Sequence, residues 1–346
     1  MAIQTQVEKR FLAAGAKKGV IWGTAEPMGA NDGMLIDSDG GLVRSQAYHP
    51  AYESDTPFPS EGDLGLIDPI DFTPEFFMRY DPGSIGLLLA QLFGTTGTPS
   101  GAGIGWKHIF LWDDEINGKF SNFAVERANK ILEVPSAKPF SFDLSLADGF
   151  IKGSIGLRGN TLINDSSIND YTQMDALTYA DTGHRVKIRH LTSYLTHQSN
   201  SDNPNQTDAI KISDISMHFE RPMDGLHEAG SSSIIEPVQN GAPVITVSLT
   251  FPRMDIVNDA YFADFIAETE KKAQFEFLEP TGEAGKHYAL AFWFPRLRVI
   301  NVDYPFDEIV PCTMTLQAEK AASYSGFTYP YPYMQLTNKR STSYFT

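Results

Sequence analysis

Thiols are almost absent from this chain. Cys312 is the single cysteine among 346 residues, so no disulfide within the chain is available to staple it. It alternates with Met314 and Leu316 and reads as a small core hydrophobe of a protein made in a reducing compartment. No apolar run is long enough to span a bilayer. The first ten residues carry no signal-peptide stretch, so a soluble chain made in the cytoplasm is expected. Basic residues are in deficit: 27 Lys and Arg stand against 43 Asp and Glu, a formal charge of -16. Such a balance argues against a protein built to grip nucleic-acid phosphates. It is compatible with solubility, and with a surface along which a polyanion slides without sticking. The 42% of hydrophobic residues is enough for a core and excludes global disorder.

Catalytic patterns are missing too. No two of the eight histidines have the i, i+4 spacing that puts two metal ligands on one helical face. His184, His190 and His197 cluster in a polar stretch, which reads as a solvated hairpin rather than a metal site. The glycines at 94–97 and 101–105 follow a helix and precede a strand, the reverse of a phosphate-binding loop. Asp37 and Asp39 start like a calcium loop, but Tyr48 stands where the closing Glu belongs. Asp113, Asp114 and Glu115 precede Asn117-Gly118 and read as a hairpin turn. No Gly-x-Ser-x-Gly elbow occurs. No catalytic, cofactor-binding or metal-ligating residue is assigned, no cofactor is expected, and the chain is not expected to be an enzyme.

What is present is one pattern written twice. In the first half, 72–80 leads into an apolar helix at 84–93, then strands at 108–112, 120–125 and 140–146. In the second, 245–251 leads into a helix at 260–267, then strands at 274–278, 288–294 and 312–318. This order predicts two pseudo-repeated units in a mainly β protein with short helices. Five segments follow: an extended N-terminal arm (1–62, with a strand only at 19–23), a first β unit with a helix (63–160), a polar insertion with a hairpin at 177–189 (161–210), a second β unit with a helix (211–321) and an extended C-terminal tail (322–346). The run 140–146 places Phe140, Phe142, Leu144 and Leu146 on one face, and Ser141, Asp143 and Ser145 on the other. Leu88, Leu92, Phe262, Phe265, Phe292 and Leu316 complete the expected core.

The order of pieces resembles the tail tube (major tail) proteins of bacteriophages with long, non-contractile tails. Tyr52-Glu53-Ser54 with Pro57-Phe58-Pro59, Ser84-Ile85-Gly86-Leu87-Leu88-Leu89, Lys107-His108-Ile109-Phe110, Leu144-Ser145-Leu146-Ala147-Asp148-Gly149, Ile235-Glu236-Pro237 and Leu249-Thr250-Phe251-Pro252 carry it. It covers roughly residues 50–320; the long N-terminal segment and 161–210 depart from it. The resemblance implies a β-sandwich or barrel whose subunits form homo-hexameric rings, stacked into a helical tube that conducts DNA from virion to host. It implies partners among terminator, tape-measure and distal tail proteins, DNA passing through the lumen without specific binding, and no membrane. It also implies a structural virion protein, assembled in the host cytoplasm, with no catalytic residues to carry over. Edge-to-edge pairing of protomers would satisfy exposed strand edges, which are an aggregation hazard in a lone chain. Two other readings are a different tail part, such as a hub or terminator, and a β-sandwich carbohydrate- or ligand-binding module with Trp22, Trp106, Trp112 and Trp293 as stacking platforms.

Overall fold

Period-two alternation runs through both halves of the chain, and the computed structural model turns it into strands. It describes residues 11–51, 61–102, 105–127, 130–179, 184–253, 261, 263–280, 287–303, 312–322 and 326–345. Strand accounts for 51% and helix for 10%, so the protein is mainly β, with large antiparallel sheets. The chain begins with β1 (Phe11–Lys18), then the hairpin β2 (Gln46–Ala51) and β3 (Glu61–Ile67). The short β4 (Ile70–Phe72) and β5 (Glu75–Phe77) lead into α1 (Ser84–Phe93). Next come β6 (Gly94–Thr96), β7 (Ser100–Ala102), β8 (Gly105–Trp112) and β9 (Ser121–Arg127). The first half closes with β10 (Lys130–Ala147), β11 (Phe150–Gly159) and β12 (Ile163–Asn164). In the second half α2 (Tyr171–Asp175), β13 (Leu191–His197) and β14 (Asp214–Glu220) precede the small pair β15 (Met223–Asp224) and β16 (Val238–Gln239). β17 (Val244–Phe251), a helical turn at 261 and 263–266, β18 (Glu270–Pro280), β19 (His287–Asp303), β20 (Cys312–Ala318) and β21 (Tyr333–Asn338) complete it.

One pairing order occurs in both halves. β4 and β5 pair with β11, β11 with β10, β10 with β9, and β9 with β1. Likewise β17 pairs with β20, β20 with β19, β19 with β18, and β18 with β13. Every ladder is antiparallel, and in both halves a helix follows the first strand of the series. The correspondence is shifted by one strand from the sequence expectation. No ladder joins β8 to β9, whereas β18 and β19 pair along nearly their whole length. β6, β7 and β8 are therefore an addition to the first half, which the sequence pattern counted as part of the repeat.

Two long strands turn the corners. β10 has 18 residues and β19 has 17, well beyond an ordinary strand of about 5–6. Each changes partners partway. β10 passes from β9 and β12 to β11 and β14; β19 passes from β18 and β21 to β20. Register shifts at 134/137 and 139/141 in β10, and at 299/301 in β19, supply the bends. A bulge adds a residue to one strand and bends it, which lets a single strand serve two sheet directions. The sheet thereby curls around its core as a barrel.

The core is shared. One cluster runs from Ala14 and Phe72 through Leu88, Phe142 and Phe219 to Phe292, Leu316 and Leu336. α1 is buried at all ten positions, as a helix apolar all round must be. Its end is set by Gly94, whose φ of 98° places it in the left-handed region and whose N–H donates to the Ala90 carbonyl. Gly86 is needed for close approach: a Cβ there would stand 2.2 Å from the buried Tyr344 ring.

Several expectations need correction. The N-terminal strand is 11–18, not 19–23. It is built from small residues, Ala13, Ala14 and Ala16, buried against neighbours, so no bulky period marks it. Within 161–210, the described residues of 177–189 form no ladder with one another: Arg185 bridges to Arg79 and Lys187 to Phe150, and a 3-10 turn follows at Ile188–His190, while the expected turn at 181–183 lies outside the described residues. β13 from the same segment pairs across seven positions with β18. Its alternation is hidden because Ser193, buried between Leu191 and Leu195 on the core-facing side, takes a place usually held by an aliphatic. Within 322–346, β21 lies between β8 and β19, and Tyr344 is buried, so this segment is sheet interior rather than a trailing tail. Leu88, Leu92, Leu144, Phe292 and Leu316 are buried as expected, while Leu146 and Phe265 are only half-buried and Phe262 lies outside the described residues. The bulge at 139/141 leaves Phe140 off the core and half-exposed under the Arg158 guanidinium, 5.3 Å from its ring centre, while Ser141, out of phase with the core residue Phe142, stays on the outer side, buried beside the Phe140 ring.

Candidate functional site

The most continuous chemical feature is the outer face of the strands β11, β10, β14, β17 and β20. Their inward residues are Ile151, Phe142, Leu144, Ile215, Met217, Val247, Leu249, Met314 and Leu316. Register sets the outward residues in rows across the sheet. One row reads Ser154, Asp143, His218, Thr246 and Gln317; another reads Ser216, Ser248 and Thr315; a third reads Asp214, Thr250 and Thr313. The last two rows continue onto β19 at Asn301 and Asp303. These side chains are half-exposed or exposed, short and mostly hydroxylated. Asp143, Asp214, Glu220 and Asp303 stand against Lys152, Arg158 and Arg298 on the face, four acids to three bases. The arrangement gives a polar, mildly acidic surface, interrupted between Glu75, Asp143, Ser145 and Lys152 by a shallow hollow of about 70 Å³.

The ladder between β10 and β14 joins the two halves across this face, and its centre is charged. His218 Nδ1 lies 2.6 Å from Asp143 Oδ1, and its Nε2 lies 3.4 Å from Glu220 Oε2. Hydrogen bonding to Asp143 holds the imidazole above its ordinary value, against the opposing effect of partial burial. Lys152 beside it bonds to Glu75 at 2.6 Å, and that bond holds its ammonium above the ordinary lysine value.

Behind the ladder sits Arg221, with no exposed surface at all. Its Nε donates to the Leu92 carbonyl at 3.2 Å, its Nη2 to the Phe93 and Asp113 carbonyls at 3.4 and 2.9 Å, and its Nη1 to Gln239 Oε1 at 2.5 Å. The guanidinium also lies over the Trp112 ring at 4.2 Å. It therefore satisfies the last carbonyls of α1, which no residue of the helix can reach, and places a cation at the negative end of the helix dipole. Burial lowers its pKa to about 10, so it remains charged at neutral pH. Lys138, also buried, bonds to Glu236 at 2.5 Å and to the Pro237 carbonyl at 3.0 Å, pinning the 235–237 segment of the second half to β10. Sequence reasoning missed both cations. The only trace is a lone Arg before Pro222 and a lone Lys inside an apolar strand, and neither has a partner nearby in sequence.

The other sequence candidates are dispersed. His184 bonds to Glu279, His190 Nδ1 to the Tyr80 hydroxyl at 3.0 Å, and His197 lies 3.5 Å from Lys271 Nζ. Burial lowers the His190 pKa. Among the described residues no three His, Cys, Asp or Glu side chains converge as metal ligands. Asp39 pairs with Arg127 and Asp37 with Lys152. Asp113 faces Lys119 at 3.5 Å and accepts the Glu115 N–H within a turn. Gly94 and its neighbours end α1 and start a strand. Trp22 packs edge-on against Phe120 and donates to the Ile234 carbonyl at 2.9 Å. Trp112 packs on Phe93, and Trp293 stacks on Tyr333 at 5.7 Å with an interplanar angle of 3°. Only Trp106 is exposed, so the four rings form no shared platform. No protein-family model matches the chain, and no curated protein matches it.

Proposed function

We propose that the chain is a structural subunit of a phage tail tube. In this reading its barrel is of the tail-tube type with two pseudo-repeated units, and it assembles into homo-hexameric rings that stack around a channel for DNA. The polar face spanning β11, β10, β14, β17 and β20 carries the proposal. A sheet with one face sealed into a core and the other wet, acidic and free of deep pockets suits a channel wall. Like charge and short hydroxyls keep a polyanion mobile, because few cations are available to neutralise phosphates. Cytoplasmic assembly, residence in the virion, and contacts with terminator, tape-measure and distal tail proteins belong to the same reading, as does the absence of catalysis. A hub or terminator would share the fold but be needed in few copies. The ligand-binding module is less well supported, because three of the four tryptophans are packed against other aromatic rings.

Electron microscopy of the purified chain tests the proposal. Hollow tubes or rings with the β11 to β20 face toward the channel are expected. A chain that stays monomeric at every concentration, or tubes with that face outside, would overturn it. Native mass spectrometry counts the chains per ring, as multiples of 38.3 kDa. Because each chain carries the pairing order twice, three chains would already supply six copies of it.

A further inference from the structure

Chain order gives each half a strand between its edge strand and its helix. In the second half this is β14. It pairs with β17 on one edge, and on the other with residues 141–144 of β10, beyond the corner bulge. In the first half the same position in chain order belongs to β2. It pairs with β3, which runs on through Asp68 and Pro69 into β4. The other edge of β2 carries no ladder among the described residues. Nor is the hairpin of β2 and β3 part of the main sheet; it is a separate two-stranded sheet.

An isolated hairpin is marginal in water, and this one exposes apolar surface. Tyr48 and Leu64 face each other across it, 58% and 67% exposed, and Leu66 is 52% exposed. Among the described residues the matching receiver carries no strand either. On β19, β18 pairs as far as Arg298, and of the described strands only β20 pairs with residues 299–303. That open edge is where β14 would lie if β19 were β10. Ile300 on it is 41% exposed.

We propose that the 46–49 edge of β2 in one chain adds to the 299–303 edge of β19 in a second copy of the same chain. The contact repeats between chains the ladder that β14 and β10 make within one chain. Pro50, which has no N–H, ends the new ladder and leaves four residues, the length of the internal one. The occupant is a second copy because the internal ladder already shows this fold receiving its own preceding strand at this place. The surfaces differ, so the contact is head-to-tail and propagates to a ring if the rotation closes. It deepens the assembly part of the tube reading by naming the edges, and it would hold for any ring made of this chain.

Two measurements test it. Chains carrying Tyr48→Cys are mixed with chains carrying Ile300→Cys under mild oxidation; Ile266→Cys, 68% exposed and off both edges, is the control partner. A covalent dimer from the first mixture and none from the control is expected. Asn301 and Asp303 turn their backbone groups toward Thr315 and Thr313 of β20, so the donor on the receiving edge is the N–H of Val302. Val302→Pro removes it and should abolish the high-mass species while the monomer's thermal midpoint stays close to that of the parent chain. If that variant fails to fold, the cross-link still decides. Assemblies that form without the cross-link would overturn the edge assignment and leave the tube reading standing. A chain that neither cross-links nor assembles would overturn both.

Discussion

Residues 141–144 of β10 and 299–303 of β19 occupy matching places on the two corner strands, yet among the described residues only the first segment is flanked on both edges. The helices differ in the same sense. α1 is wholly buried and its C-terminal carbonyls are capped by Arg221, whereas in the second half Ile266 is 68% exposed and Phe265 half-buried. The first half is thus completed by residues from the second, and among the described residues nothing completes the second in the same way. One pairing order can be closed in one setting and open in the other, because what completes it comes from the next unit in line.

The largest effect expected from breaking this asymmetry is at Arg221. Arg221→Leu takes the buried donor from the carbonyls of Leu92 and Asp113 and from the Gln239 amide oxygen, while the Phe93 carbonyl keeps the Asp113 N–H at 2.8 Å. Stranding such groups should cost roughly 3–5 kcal/mol. Urea denaturation reads it as a lower midpoint at unchanged slope. A loss below 1 kcal/mol would mean that α1 does not depend on the second half for its cap.

Next in size is the contrast between the helices. Leu88→Ala empties a fully buried site and should cost roughly 2–5 kcal/mol. Ile266→Ala, at an exposed site, should stay within about 0.5 kcal/mol in the monomer. Equal losses in thermal melts would show that the second helix is buried in the isolated chain, and the contrast between the halves would fall.

The polar face was legible in the sequence because alternation with period two is a local signal. Phe142 and Leu144 point in and Asp143 and Ser145 point out, as the pattern requires. Phe140 was misread because a bulge slips the phase by one residue, and nothing in the sequence marks where it falls. The order of strands in the repeat was legible, but the partners were not. Pairing depends on contacts between residues as distant as β8 and β21, and no local period reports them. The buried cations were illegible for the same reason: Arg221 earns its place through carbonyls more than a hundred residues away.

A smaller effect comes from pH at the joining ladder. The folded pKa of His218 is raised, chiefly by Asp143. Its contribution to stability is therefore fully present below its ordinary value of 6.5 and is lost as pH rises through the higher folded value. With the side chain 37% exposed, solvent screening limits it to about 0.5 kcal/mol. Asp143→Asn should flatten that part of the stability profile. The corresponding position in the second half's row is held by Arg298, paired with Glu319 and always charged, so Glu319→Gln should leave the profile near neutrality unchanged. A profile in Asp143→Asn that still falls across this window would place the titrating group elsewhere.

The smallest effect expected is on DNA, and for the parent chain it is close to none. Asp143, Asp214 and Glu220 lie on the two strands that join the halves, and Lys152 beside them is held by Glu75 and Asp37. A duplex meeting this face finds few free cations, so retention on immobilised DNA should be weak and nearly independent of salt. Replacing the three carboxylates by lysine places three cations within reach of phosphates. If all three reach, the logarithm of affinity should fall with the logarithm of salt concentration with a slope of about −3, since each phosphate contact contributes roughly −0.9. The comparison is sharpened by making the same exchange at Glu268 and Glu319, which lie with Arg298 on the second half. If the first set lines the channel and the second does not, only the first should slow DNA passage in assembled tubes, although both bind DNA as monomers. A steep salt dependence in the unmodified chain would count against a channel wall made from the β11 to β20 face.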